Sequence, residues 1–189
     1  MRVRASATRR YGTAVAILAG WRSCPKCGAS LDHPEGRVEC AACGFVHYAG
    51  SAPAVALFIR DEAGRVLLAR RAHEPYAGYW DTPGGFLDEG EDPIAGAHRE
   101  LREEAAVDIE VGAFVGAFVE RYGDSPDAAS VLNLVWEARV VAGEPLPADD
   151  VAELRWFESD GLPPDAELAF RSMAGALRSW ASADFSEVG

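Results

Sequence analysis

Residues 84–108 read GGFLDEGEDPIAGAHRELREEAAVD, with seven carboxylates ahead of Asp108. Three of them, Glu100, Glu103 and Glu104, fall within five positions. On a helix, like charges three or four residues apart repel by roughly a few tenths of a kcal/mol per pair. Either bulk water or a bound cation must offset that. At about 100° per residue the three acids share a sector about 100° wide. Ile94, Ala97, Leu101 and Ala105 form the adjoining apolar stripe, so the acids line an edge beside the core. Arg99 is the one neighbouring cation of suitable spacing, four residues before Glu103. A solvated charged face is the ordinary reading of such a run. Crowded carboxylates after a Gly-Gly loop that ends in Glu91 instead suit Mg²⁺ or Mn²⁺, which keep several waters and take phosphate oxygens as further ligands.

A second metal-binding pattern lies upstream. Cys24 and Cys27 form one C-x-x-C pair and Cys40 and Cys43 another, each followed by glycine (Gly28, Gly44). Two disulfides would need an oxidising compartment. Two tight knuckles that aim four thiolates at one Zn²⁺ suit the spacing better, and a closed tetrahedral site of this kind is structural. His33 and His47 are nearby, but the cysteines already fill the site. Arg22, Lys26 and Arg37 face Asp32, Glu35 and Glu39, so this ribbon is near neutral and has no basic stripe. Its expected work is to stabilise a small module, with dimer contacts as a further option.

The elements that must carry these groups follow from pattern. APAVALFIR (52–60) and RVLLARR (65–71) read as strands joined by the turn DEAG, a hairpin. HEPYAGYWDTPGG (73–85) is a long loop of the kind that serves function. Asp92 suits a helix N-cap and Pro93 its first turn, which predicts a helix over 92–105. Strands are expected over 109–122, 130–141 and 154–160, and a closing amphipathic helix over 164–181. The fold class is α+β with an α/β/α layering, preceded by the ribbon. The expected organisation is a basic tail at 1–21, a zinc ribbon at 22–50 and a larger domain at 52–183.

The chain has 189 residues, 49% apolar and 25% charged, enough for one real core. Its net charge is −12, and residues 1–22 hold five arginines and no acid, so the remainder is more acidic still. That balance argues against a nucleic-acid surface. The apolar run at 13–21 is well short of the roughly 20 residues that span a bilayer. A cytoplasmic protein without a membrane partner is expected.

Gly85, five residues, Glu91, seven residues, and Arg99-Glu100-Leu101-Arg102-Glu103-Glu104-Ala105-Ala106-Val107 together resemble the Nudix box. Ala106 stands where the box has glycine, which would take a left-handed conformation at the helix end. GYWDTPGGF upstream and LRWFESDGLP downstream extend the resemblance over roughly 52–181. The resemblance implies a hydrolase of phosphoanhydride bonds in a nucleoside diphosphate linked to another group. It implies Glu100, Glu103 and Glu104 as Mg²⁺ or Mn²⁺ ligands, a carbonyl contributed by Gly85, and Arg99 and Glu91 as holders of the loop–helix geometry. Glu120, Asp124 and Asp127 are further candidates for the general base.

A ribbon ahead of such a domain resembles the NADH pyrophosphatases. Their Ser-Gln-Pro-Trp-Pro-Phe-Pro signature is absent from GAFVERYGDSPDAASVLNLVW, so NADH specificity is not implied. The small nucleotide expected as substrate is NAD(H)-, ADP-ribose- or dinucleoside polyphosphate-like. Tyr76, Tyr79 and Trp80 could stack on a base, with Trp80 equally suited to core packing. Tyr122 lies near the base-stacking tyrosine of diadenosine polyphosphate hydrolases. Arg70 and Arg71 alternate on one strand, so at most one of them, with Arg70 the expected one, reaches a phosphate. The alternatives are a non-catalytic nucleotide sensor that uses the ribbon as its contact, and a pyrophosphohydrolase or decapping enzyme acting on RNA 5′ ends.

Overall fold

Strand β3 (Ala52–Arg60) is buried on both faces along most of its length. It is central because it runs parallel to β7 (Ser130–Ala142) over eight paired positions, and strands covered on both sides read as unbroken apolar runs. In the computed structural model, residues 18, 20–32, 36–125 and 128–183 are described. The tail residues 1–17 and 19, His33, Pro126 and Asp127 lie outside them. Two compact units divide the chain: residues 1–50 with 125–127, and residues 51–124 with 128–189.

In the first unit, β1 (Arg37–Glu39) pairs antiparallel with β2 (Val46–Tyr48). Leu18, Cys24, Leu31, Val38 and Cys40 are its buried cluster, with Trp21 packed against it. Leu18 and Trp21, assigned above to the tail, therefore belong to the packed module. His47 stacks between Trp21 and Phe45, with ring centroids 5.4 and 6.4 Å away.

The second unit is a mixed sheet covered by one helix on each face. β4 (Val66–Arg71) pairs antiparallel with β3, with β5 (Trp80–Asp81) and with β8 (Val151–Phe157), while β6 (Asp108–Arg121) pairs antiparallel with β7. Alternation along β3 assigns the two faces. Val55, Leu57 and Ile59 meet Ala97, Leu101 and Ala105 of α1 (Pro93–Ala105). Ala56 and Phe58 meet Leu177 and Trp180 of α2 (Ala174–Ala181). This is the expected α/β/α layering. No helix among the described residues is long and apolar enough to cross a membrane.

Both ends of α1 follow from local chemistry. Asp92 accepts from the backbone N–H of Ile94 and Ala95 at 2.9 and 3.2 Å, and Pro93 opens the first turn. Ala106 takes the left-handed conformation (φ 55°, ψ 34°) that the box glycine would take. Its N–H bonds Arg102 O at 3.2 Å and that of Val107 bonds Leu101 O at 3.4 Å, so the alanine is strained into the turn and the turn is kept.

The closing helix is shorter than the 164–181 read from the pattern. Residues 165–167 form a 3₁₀ turn and α2 begins only at Ala174. Between them Leu168 bridges Trp80 at the sheet edge, and Ala169 donates to Trp80 O at 2.8 Å. Satisfying an edge carbonyl and burying Leu168 outweighs continuing the helix.

Candidate active site

The loop 82–87 runs along β3 on the edge opposite β7: Leu57 N–H donates to Pro83 O, Val55 N–H to Gly85 O and Leu87 N–H to Pro53 O. Gly84 lies so close to β3 that a Cβ there would meet Val55 O at 2.3 Å, and its φ of +138° is itself a glycine conformation. That proximity brings the loop onto the acidic edge of α1. Gly84 N–H donates to Glu104 at 2.9 Å, and a Cβ on Gly85 would meet the Glu100 carboxylate at 2.6 Å.

Arg99 fastens this junction. It holds Glu91 with two bonds of 2.8 Å and reaches Phe86 O at 3.0 Å, Glu100 at 2.8 Å and Glu103 at 3.0 Å. The Arg99 bonds hold the Glu91 carboxyl at about 2, well below the usual range. Gly85 O accepts from Val55 N–H at 2.9 Å and keeps one lone pair.

Glu104 is only 7% exposed. Burial drives its pKa well above the ordinary value, with Asp150, Glu100 and Asp81 adding to the rise and the Gly84 N–H opposing it. Glu100 is raised too, by burial first. Among the described residues, only the four cysteines bring three or more ligand atoms within 4.8 Å of one another. The glutamates are spread more widely, as Arg99 and mutual repulsion require.

Glu100, Glu103 and Glu104 line one cleft of about 280 Å³ together with Gly84, Gly85, Asp149 and Asp150. The loop that delivers the two aspartates is tied to the end of α1, where carbonyls would otherwise lack partners. Leu146 N–H bonds Ala105 O and Ala148 N–H bonds Glu104 O, both at 3.0 Å. Asp149 and Asp150 were not singled out from sequence. The adjacent acids in PLPADD were the available signal, but nothing local says where that loop docks.

The far wall of the cleft is aromatic. Tyr122 and Phe170 stack at 5.9 Å and 19°, and Phe86 sets its edge on Tyr122 at 5.2 Å. Arg71, not Arg70, lines the cleft. It bonds Asp81 at 3.1 Å, Tyr122 Oη at 2.9 Å and Pro75 O at 2.8 Å. Burial raises Asp81 to about 7 even beside Arg71. Arg70 turns outward to Gly78 O and Glu153. Trp80 is core, 6% exposed against Phe157 and Leu168, and Tyr79 packs on Tyr76 outside the lining. Glu120 bonds Ser172 and Asp124 bonds Tyr76, so both secure loops and neither lines the cleft. Phe170 and Met173 entered the site only because the closing helix is interrupted. A larger hollow of about 810 Å³ is lined by both signs of charge, Arg60, Arg65 and Arg139 with Asp61, Glu62, Glu110 and Glu137, and Arg65 and Arg139 are paired with Asp61 and Glu110.

In the first unit, Cys24 and Cys43, and Cys27 and Cys40, have their sulfurs 3.7 Å apart. A disulfide needs about 2.05 Å. A tetrahedron with metal–sulfur arms of about 2.3 Å has edges of about 3.8 Å, so the donor set fits a single thiophilic ion. Backbone N–H groups of Cys43 and Ala42 bring Cys40 down to about 7, while Cys27, despite the backbone bond at Ala29, is pushed up to about 12 by the neighbouring sulfurs and burial.

A family model for the NUDIX domain matches residues 50–175, so the chain belongs to the Nudix family. It is 28% identical over 149 residues to the NAD-capped RNA hydrolase NudC of Vibrio vulnificus, covering 77% of this chain and 54% of that protein. It is 32% identical over 122 residues to the ADP-ribose pyrophosphatase of Methanocaldococcus jannaschii, covering 62% of this chain and 68% of the relative. A crystal structure of a NUDIX hydrolase from Nitrosomonas europaea superposes with a TM-score of 0.70 at 25% identity, covering 85% and 90% of the two chains. The chain spans about half the length of the NudC relatives it matches.

Proposed function

We propose that this protein is a metal-dependent hydrolase that cleaves the phosphoanhydride of a nucleoside diphosphate linked to a second group. The observation that carries the reading is the buried Glu104, set with Glu100 and Glu103 on one wall of the cleft against a glycine loop. Carboxylates desolvated among further carboxylates have poor company until a cation joins them. Glu100, Glu103 and Glu104 would hold Mg²⁺ or Mn²⁺, with the spare lone pair of Gly85 O and the acids Asp149 and Asp150 completing the donor set. The cation supplies charge neutralisation for the diphosphate and acidifies water at the site. Arg99 and Glu91 act as positioning residues that keep loop and helix in register. The aromatic wall takes the uncharged part of the substrate.

The four thiolates would hold Zn²⁺ as a structural ion, which suits a reducing compartment such as the cytoplasm. The division into two units supports reading 22–50 as the ribbon and 52–183 as the catalytic domain. The relatives' names favour NAD(H)-like and ADP-ribose-like substrates. The name NAD-capped RNA hydrolase also brings an RNA-linked diphosphate into consideration as a second reading.

The test is a hydrolysis panel with Mg²⁺ and Mn²⁺ over NADH, NAD⁺, ADP-ribose, diadenosine polyphosphates, nucleotide sugars and NAD-capped RNA. Turnover of one class that disappears in Glu104→Gln supports the reading. Cation binding without turnover of any of them would point to a nucleotide sensor.

A further inference from the structure

Asn133 is 7% exposed and lines the cleft, yet its side chain has no hydrogen-bond partner among the described residues. Its amide atoms are not among the fully buried unpaired polar atoms, so they open into the cleft, where they can bond whatever enters it. Its surroundings give it no reason to be polar. Val131 and Val135 flank it on the same face of β7, and its cross-strand partner on β3 is Ala54. Val131, Ala54 and Ala56 line the cleft beside it with Phe170 and Met173. An isoleucine or leucine there would satisfy the fold.

Thr82 differs from Asn133 in that its hydroxyl is cut off from solvent. It is 8% exposed, lines the cleft, and its Oγ1 is buried without a partner. Thr82 leads into the loop on one edge of β3 and Asn133 sits on β7 at the other. Between them Ala54 and Ala56 leave a hollow that larger side chains would fill.

The cleft therefore has two chemically different ends. The acids that would hold the cation, and with it the diphosphate, occupy one. The other has aromatic faces at Tyr122 and Phe170, apolar small residues, and one unpaired carboxamide. Arg71 is committed to Asp81, Tyr122 and Pro75, so this end is no second phosphate clamp. A carboxamide offers a donor and an acceptor side by side, the complement of the edge of a heterocyclic base. The volume of about 280 Å³ lies at the small end of ligand clefts.

We propose that Asn133 binds and selects the nucleobase of the substrate, with the Ala54–Ala56 hollow and the Tyr122–Phe170 wall shaping the slot. This rests on reading the acidic end as the place of the diphosphate, and it adds the residue that decides which base is accepted.

The test measures binding of AMP, GMP, CMP and UMP to the full chain by titration calorimetry without added Mg²⁺ or Mn²⁺, beside Asn133→Leu and Asn133→Asp. Wild type should separate its best base from its worst by about 10- to 100-fold, the scale of one or two neutral hydrogen bonds. Asn133→Leu should compress that spread to within about threefold with no fall in melting temperature. Asn133→Asp, which only accepts when ionised, should reorder the bases, and this variant decides if the leucine variant fails to fold. An unchanged ranking in the variants, or a wild type that binds none of the four or all four equally, overturns the proposal. Base-dependent binding by a protein that hydrolyses nothing would support it and fault the hydrolase reading alone.

Discussion

Replacing Glu104 with glutamine should stabilise the protein lacking its catalytic cation while abolishing turnover. Glu104 is a 7%-exposed carboxylate with a single hydrogen bond, from Gly84 N–H at 2.9 Å. Glutamine Oε1 can keep that bond, and the charge facing Asp150, Glu100 and Asp81 disappears. The sign follows from linkage. Burial raises the folded-state pKa well above that of an unfolded glutamate, about 4.3. Between those two values the folded chain holds a proton that the unfolded chain has lost, so stability falls as pH rises through the window. The glutamine variant loses this contribution to the slope. Removing a poorly compensated buried charge is worth about 1–3 kcal/mol, or about 2–12 °C in melting temperature for a chain of this size. A cation at about 100 times its Kd would add about 2.7 kcal/mol to the wild type and much less to the variant, which inverts their order. Scanning calorimetry from pH 5 to 8, with and without Mn²⁺, reads both effects. A variant less stable than wild type at pH 8 without Mn²⁺, or equal stabilisation of both by Mn²⁺, would refute the assignment of the site.

Ala106→Gly should raise stability by about 0.5–1 kcal/mol, since a left-handed alanine costs about 1–2 kcal/mol and glycine loses about 0.5–1 kcal/mol in chain entropy; an unchanged or lower denaturation midpoint would contradict the strained turn. Arg99→Lys keeps the charge but not the fork that grips both oxygens of Glu91, so turnover should drop about 10- to 100-fold with circular dichroism unchanged. Cys24→Ser should cut bound zinc, measured by elemental analysis, and lower the melting temperature of the first unit with little direct effect on hydrolysis. Phe170→Ala should raise KM more than it lowers kcat; the opposite split would place the aromatic wall nearer the chemistry than the cleft geometry does.

What could be read from sequence was whatever depends on near neighbours in the chain. The box acids share one edge of α1 because helical periodicity puts them there. Asp92 and Pro93 start that helix, and Ala106 ends it in the conformation its position demanded. The paired cysteines announced a four-sulfur site through knuckle spacing alone, and alternating strands between two amphipathic helices announced the layers. The second half of the site depended on contacts between distant segments. Arg71 rather than Arg70 faces the cleft because of how β4 sits between β3 and β8. Trp80 went into the core when Leu168 paired beside it, and that pairing cut the closing helix and delivered Phe170 and Met173 to the cleft. Asp149 and Asp150 arrive because their loop satisfies the carbonyls at the end of α1. Asn133 looks like any polar residue in a strand until its neighbours are known. Local spacing thus determined where the candidate metal-ligating acids and thiols lie, whereas the slot beside the acids was decided by tertiary packing, because its lining comes from segments far apart in the chain that meet only once the sheet is formed.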